Sequence, residues 1–378
     1  MINVVIAGYA RSPFAPAKKG GLARVRADEM AAEVVRALIS RTKVNAADIE
    51  DIIVGCAFPE AEQGLNVARL IGLLADLPLS VAGQTVNRFC GSSMSSVHIA
   101  AGAIQMNAGE VFVAVGVESM SRVPMGGFNP MPSPKLYAAK PAAYMGMGDT
   151  AENVARQWQI TRAAQEEFAL KSHQKAAAAQ KDGRFAAEIV PINNGKTIIE
   201  QDECIRADAS LEGLAALKPA FDQAGTVTAG TSSPLTDGAS AVLVCSEDYA
   251  MRNGLTIMAR IKSIAVAGCA PEIMGIGPVA ASRKALARAG ITAQDLSVVE
   301  LNEAFASQAM ACMRDLEIDP AIVNFDGGAI ALGHPLGATG ARITGKAAAV
   351  LKREGGKYAL ATQCIGGGQG IATVLEAV

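Results

Sequence analysis

Residues 44–57 (VNAADIEDIIVGCA) align without a gap on residues 291–304 (ITAQDLSVVELNEA), at a constant offset of 247 residues (291 against 44). Ala46 falls on Ala293, Asp48 on Asp295, Ile49 on Leu296 and Ala57 on Ala304. The same offset carries the apolar run 111–117 onto 358–364, and Gly109 onto Gly356. One such match can be accidental. Two in a single register describe a duplicated supersecondary unit, each copy holding strands that alternate with helices.

Local patterns agree with that reading. Met30, Val34, Val35 and Leu38 recur at helical spacing after Asp28, and Pro278 opens while Gly290 closes the counterpart in the second copy. The runs 4–7, 52–55 and 112–115 are apolar at successive positions, as expected of strands covered by helices on both faces. The expectation is α/β architecture with mixed, mostly parallel sheets. Between the copies, residues 123–148 carry five prolines and Met125, Met131, Met145 and Met147, which predicts a loop with a soft apolar lining. Residues 150–160 and 161–180 then read as helices, ended near Gly183. The domains expected are a first half over 1–119, completed by about 236–257, an inserted loop domain over 120–235, and a second half over 258–378.

Composition narrows the class. Half of the 378 residues are hydrophobic and 19% are charged, with 38 glycines, which excludes disorder, collagen and coiled coil. Thirty-four basic and 36 acidic residues are scattered without a stripe, which argues against nucleic-acid binding. No apolar stretch approaches the ~20 residues needed to cross a bilayer. With no basic region ahead of an apolar run at the start, a cytoplasmic chain is expected. Seven cysteines without a C-x-x-C pair predict reduced thiols, and three histidines leave little with which to build a metal site.

Four segments carry candidate chemistry. In 87–94 (NRFCGSSM), Cys90 stands between an extended stretch, 80–86, and a helix whose dipole favours a thiolate, so its pKa is expected below ~8.5. Cys90 reads as a nucleophile or as a small buried hydrophobe. In 327–340, His334 follows a run of glycines and precedes Pro335 and a helix over 338–352; it reads as a base for a thiol or as a capping histidine of a turn. Cys364 leaves an apolar strand into three glycines, either as an acid/base for a carbanion or as an interior strand cysteine. Asn302 ends the strand 298–301, at the edge where open α/β sheets place ligands, and reads as a holder of a water or an oxyanion; Glu303 reads as a solvated helix start. His98 and His173 lie on helical patterns and read as structural. Neither G-x-x-x-x-G-K-[ST] nor a correctly placed G-x-G-x-x-G is present.

Segments 87–94, 302–305, 327–340 and 364–370, with 230–238 (GTSSPLTDG), resemble the thiolase family over practically the whole chain. The resemblance implies a thiolase fold: two βαβαβαββ halves stacked as α-β-α-β-α layers with a loop domain inserted in the first. It implies Cys90 as acyl-accepting nucleophile, His334 as its base, and Cys364 as acid/base at the acetyl-CoA α-carbon. Asn302, through a water, and His334 would form one oxyanion site, and the backbone N–H groups of Cys90 and Gly366 the other. Coenzyme A is implied as co-substrate with no prosthetic group. Its contacts would be Arg206 at the adenine and phosphate end, Ala229, Ser233 and Phe305 along the pantetheine, and Met147 on the acyl side.

Acetoacetyl-CoA-selective biosynthetic thiolases carry a histidine before the Met-Gly of the loop domain, whereas Gly146 precedes Met147-Gly148 here. The resemblance is therefore nearer to degradative 3-ketoacyl-CoA thiolases of fatty-acid beta-oxidation. An acetoacetyl-CoA-specific acetyltransferase and a non-catalytic CoA-binding relative are the rival readings. A homodimer or homotetramer and a multifunctional beta-oxidation partner are the associations implied.

Overall fold

The computed structural model describes residues 2–378. In the first copy β1 (Val4–Arg11), α1 (Ala27–Thr42), β2 (Asp51–Gly55), α2 (Val67–Leu74), β3 (Ala82–Val86), α3 (Ser92–Gln105) and β4 (Val111–Ser119) follow in turn. After α4 (Met147–Gln157) and α5 (Arg162–Lys181) of the insertion, β5 (Thr236–Ser246) returns to the first copy. The second copy holds β6 (Ala259–Gly268), α6 (Gly277–Ala289), β7 (Leu296–Leu301), α7 (Ala306–Asp315), α8 (Leu336–Glu354), β8 (Tyr358–Ile365) and β9 (Gln369–Glu376). The duplicated register survives in detail. The 3-10 turns Ala46–Asp48 and Ala293–Asp295 lead into β2 and β7, and β4 and β8 start at matched positions. Met30, Val34, Val35 and Leu38 are the buried stripe of α1, and Gly290 caps α6 in the left-handed conformation.

The strands run β7-β8-β9-β6-β1-β5-β4-β2-β3. Three neighbouring pairs, β2–β3, β2–β4 and β7–β8, are parallel. The other five are antiparallel, so the sheet is mixed but not mostly parallel as expected. The cause is local: β5 is inserted between β1 and β4, and β8 turns into β9 through Gly366, Gly367 and Gly368, a connection too short for anything but antiparallel neighbours. A second departure lies in the third strand of the second copy, which contracts to the single bridge Val299–Val323.

Within the sheet the two halves share only a short seam, where Val5 and Ile6 of β1 pair with Arg260 and Ala259 of β6. Three separate apolar cores show the layering. Val111, Val113, Val115 and Val117 of β4 face α1 and α2, while the intervening Phe112 and Ala114 face the middle layer. That middle core joins Met94, Val97 and Ile104 of α3 to Ala341, Ile343 and Ala347 of α8, with both sheets against them. Val299, Leu301, Leu360 and Val374 close the third core on α6 and α7. The result is the α-β-α-β-α stack.

The middle helices touch backbone to backbone. A Cβ on Gly340 would overlap the Met94 main chain, and Ser93 Oγ accepts a hydrogen bond from Ala341 N–H at 2.8 Å. Gly340→Ala is expected to lower unfolding stability by about 1–3 kcal/mol through overpacking. Gly102→Ala, on the same α3 where no atom lies within 4 Å, is expected to raise it by about 0.5–1 kcal/mol. Urea unfolding of both variants checks the pair.

Candidate active site

Cys90 sits on a sharp turn just ahead of α3, whose first residue is Ser92. Phe89 takes φ 43, a strained conformation for an aromatic residue. Its N–H donates to Asn87 Oδ1 at 2.8 Å, and Ser92 Oγ donates to Phe89 O at 2.6 Å while accepting from Arg88 N–H at 2.9 Å. The Gln363 side-chain amide holds the Cys90 carbonyl from the second copy. Burial pushes the Cys90 thiol up to about 11; the N–H groups of Gly366 and of Cys90 itself pull it partway back. The lowered pKa expected from the helix terminus is thus overturned. Ala57, Met120 and Leu336 make the wall apolar, and desolvation outweighs the helix end.

His334 precedes α8 as Cys90 precedes α3. Thr339 Oγ1 donates to Pro335 O at 3.1 Å, so it accepts from His334 Nδ1–H at 2.6 Å. Nε2 is then the unprotonated nitrogen, with Asn302 Nδ2 at 3.4 Å. The main-chain N–H of His334 donates to Thr236 Oγ1 at 3.0 Å. Burial first, and the Arg342 charge second, push the imidazole down to about 3, so it is a neutral base at pH 7. A direct Cys90–His334 hydrogen bond is not formed among these contacts. Asn302 Oδ1 is buried without a partner, which suits an acceptor reserved for a water.

Cys364 lies at the end of β8, fully buried, in one apolar cluster with Met147 and Phe305. Burial raises its thiol well above the ordinary range, and the Cys90 sulfur raises it further. Cys90, Gly366 and Met147 line a cavity of about 510 Å³ with Phe58, Phe89, Met125, Met131 and Tyr144. The proline- and methionine-rich segment thus forms an apolar chamber beside the sulfur, as its composition implied, although it includes a short helix, Pro134–Ala139. Cys364 stands behind this lining rather than in it.

Arg206 and Ala229 share a second cavity, of about 340 Å³. His173, read as structural, also lines it: its Nδ1 accepts the Arg206 N–H at 3.2 Å. Ser233 and Phe305 line neither cavity. Ser233 donates from N and Oγ to Ala304 O at 3.0 and 3.2 Å, and Phe305 meets Phe221 edge-on at 5.9 Å. His98 bonds Thr373 Oγ1 at 2.8 Å.

Two carboxylates organise the site. Glu303 is buried, not solvated: it accepts from Ser172 Oγ (2.6 Å), Asn324 Nδ2 (2.7 Å) and Ile330 N–H (3.2 Å), tying Asn302 to the loop that leads to His334. Glu118, unforeseen, accepts from Ala57 N–H (2.8 Å), Gln63 Nε2 (3.0 Å) and Gly337 N–H (2.9 Å). It joins the loop of Phe58 to the start of α8. The signal was present: a charge at the end of the apolar run of β4 needs partners.

The profile of the thiolase N-terminal domain matches residues 4–248, and that of the thiolase C-terminal domain residues 255–377. A 3-ketoacyl-CoA thiolase of Marinobacter nauticus is 49% identical, the alignment covering 100% of this chain and 98% of that protein. One of the same name from Vibrio vulnificus is 47% identical over 100% of both. Human mitochondrial 3-ketoacyl-CoA thiolase, solved in complex with CoA, superposes with a TM-score of 0.92 at 37% identity, covering 100% of this chain and 98% of that one.

Burial holds His98, His173 and His334 at about 3, 4 and 3, below the unfolded value near 6.5. As pH falls below ~6.5 the unfolded chain takes protons that the folded one refuses, so this contribution is present above that pH and is lost toward pH 4. Histidine-labelled NMR spectra are expected to show no imidazole titrating between pH 5 and 8.

Proposed function

The chain belongs to the thiolase family, and from that premise we infer that its reaction is thiolytic cleavage of a 3-ketoacyl-CoA by coenzyme A, an acyl transfer giving acetyl-CoA and a shortened acyl-CoA. The observations that support the assignment of roles are two pairs, Cys90 with the Gly366 N–H and His334 with Asn302, with Leu336, two residues after His334, in the apolar cluster that holds Cys90.

In this reading Cys90 Sγ attacks the C3 carbonyl carbon as its proton passes to His334 Nε2, the nitrogen the Thr339 contact leaves free. Thiol and imidazole rest neutral, so proton transfer accompanies attack instead of preceding it. The N–H groups of Cys90 and Gly366, already directed at the sulfur, lie where the C3 oxyanion develops. The C2–C3 bond then breaks, its electron pair forms the acetyl-CoA enolate, and the Cys364 S–H protonates C2. His334 Nε2–H, now a donor, and a water on Asn302 Oδ1 stabilise the enolate oxygen. Coenzyme A replaces acetyl-CoA, gives its thiol proton to the Cys364 thiolate and attacks the Cys90 thioester; His334 returns its proton to Cys90. The raised thiol of Cys364 suits an acid that stays protonated until a carbanion forms.

Residues 120–235 act as a loop domain supplying Met125, Met131 and Met147 to the acyl chamber, and the Arg206–Ala229 cavity supports the CoA contacts. An apolar chamber of about 510 Å³ favours acyl chains longer than acetoacetyl. The outer edge of β3 carries no paired strand among the described residues, and Leu65 and Leu79 are exposed, which supports a homodimer. No helix among the described residues is long and apolar enough to cross a membrane. Reduced, cytoplasmic thiols and service in beta-oxidation complete the proposal.

Incubation with an acyl-CoA in the absence of CoA is expected to add the acyl mass to Cys90, and a folded protein without adduct would leave only a CoA-binding module. Cys364→Ala should retain part of that labelling and lose α-proton exchange of acetyl-CoA by about 100-fold or more; equal loss of both contradicts the division of roles. On chain length, a 3-ketoacyl-CoA of ten or more carbons should turn over at least as well as acetoacetyl-CoA, and strict four-carbon activity defeats the assignment.

A further inference from the structure

One ion pair in the middle layer takes no part in the chemistry above. Arg342 NH1 of α8 meets Glu300 Oε2 of β7 at 2.9 Å, and both side chains are about 1% exposed. The pairing is incomplete. Arg342 Nε and NH2, Glu300 Oε1 and the nearby Tyr9 hydroxyl are all buried without partners. Removing two charges from water costs several kcal/mol per ion, by general estimates, and an imperfectly satisfied pair recovers it poorly. Stability alone therefore gives no reason for it.

The duplicated fold contains its own control. At the offset of 247 residues Glu300 corresponds to Ile53 and Arg342 to Ser95. The first copy thus seats its helix on its strand with an aliphatic side chain and a small one, and Ile53 lies fully in the middle core. A charge is not needed to dock a helix here. What distinguishes the second copy is the neighbouring pair: Asn302 stands two residues beyond Glu300, hence on the same side of the strand, and it contacts His334 at the start of the helix that bears Arg342.

We propose that Arg342 and Glu300 are positioning residues for the reaction: they fix α8 on β7 at the height of Asn302 and keep a buried positive charge behind the His334 imidazole. The inference rests on His334 acting as the base. Charged and titratable groups reach the surroundings of His334 from every packed element. Arg342 lies on its own helix, Glu300 and Glu303 on or just after β7, Glu118 on β4 through Gly337, and Asp237 on β5 beside Thr236. Cys204 lies against Gly333, and Cys90 and Cys364 complete the set. Of these, Arg342 is the one whose charge disfavours a protonated imidazole. Burial raises the Glu300 carboxyl while the Arg342 charge pulls it back, as expected of a buried pair whose hydrogen bonding is incomplete.

The decisive variant replaces both charges by apolar groups of similar size, Glu300→Leu with Arg342→Met. Its urea midpoint is expected to equal or exceed that of the parent, because an unsatisfied buried pair gives way to packing. Its kcat is expected to fall about tenfold or more from loss of alignment, with KM changed less than about twofold. In histidine-labelled NMR spectra His334 should begin to take up a proton at higher pH than in the parent. Arg342→Lys, which keeps the charge and loses the fork, should leave that titration where it was. Misfolding or a lowered midpoint in the double variant would make the pair a structural brace and overturn the proposal. An unchanged kcat, or a His334 titration that stays put in the double variant or moves in Arg342→Lys, would overturn it too. His334→Asn, measured alongside, separates the two levels: normal turnover there would sink the role given to His334, while midpoint and titration still judge the ion pair.

Discussion

The arrangement depends on the close approach of α3 and α8, which is possible because Gly340 presents no side chain to Met94. Cys90 and His334 are held just before the first turns of these helices, so the spacing of the helices governs how far apart the two residues stand. The Ser93 Oγ contact to Ala341 N–H fixes their relative slide, and Glu118 fixes the start of α8 against the loop bearing Phe58. Packing in the middle core therefore sets the relative position of Cys90 and His334.

Placing chemistry inside a dry middle layer reverses the usual logic of a cysteine at a helix start. A thiolate and an imidazolium there would each lose hydration that the nearby donors replace only in part, and the shifts of Cys90 upward and His334 downward express that cost. The resting state is two neutral groups. In the proposed mechanism charge appears only when a carbonyl oxygen can accept it, and the backbone N–H groups of Cys90 and Gly366, already turned to the sulfur, would keep reorganisation small.

Much of this was legible in the chain itself. The register of the two copies, the stripe of α1, the glycine cap of α6 and the apolar strands all follow from local pattern, because burial on both faces leaves a continuous hydrophobic run. What could not be read locally was governed by partners far along the chain. The antiparallel majority comes from β5 entering between β1 and β4 after the long insertion. The pKa of Cys90 depends on Leu336 and Met120, remote in sequence, and the burial of Glu303 on Ser172 and Asn324. Of the CoA contacts the resemblance implies, Arg206 and Ala229 share a cavity, whereas Ser233 and Phe305 meet Ala304 and Phe221, pairings that depend on segments remote in the chain.

Duplication explains why the site is lopsided. At the shared offset Asn87 corresponds to His334, Cys90 to Gly337, Ser92 to Thr339 and Gly55 to Asn302. Gly55 lets the Ser93 main chain rest on β2, so the first copy leaves no room for a polar pair between strand and helix. Asn302, in the equivalent place, fills that room and reaches His334. Meanwhile the position of Cys90 becomes a glycine, Gly337, whose N–H donates to Glu118. Each copy thus carries a different group ahead of its helix, Cys90 ahead of α3 and His334 ahead of α8. A symmetric pair of helix starts would offer two thiols and no base, or two imidazoles and no nucleophile. In the proposed mechanism it is the difference at these few positions, within a retained backbone register, that makes the two helix starts complementary.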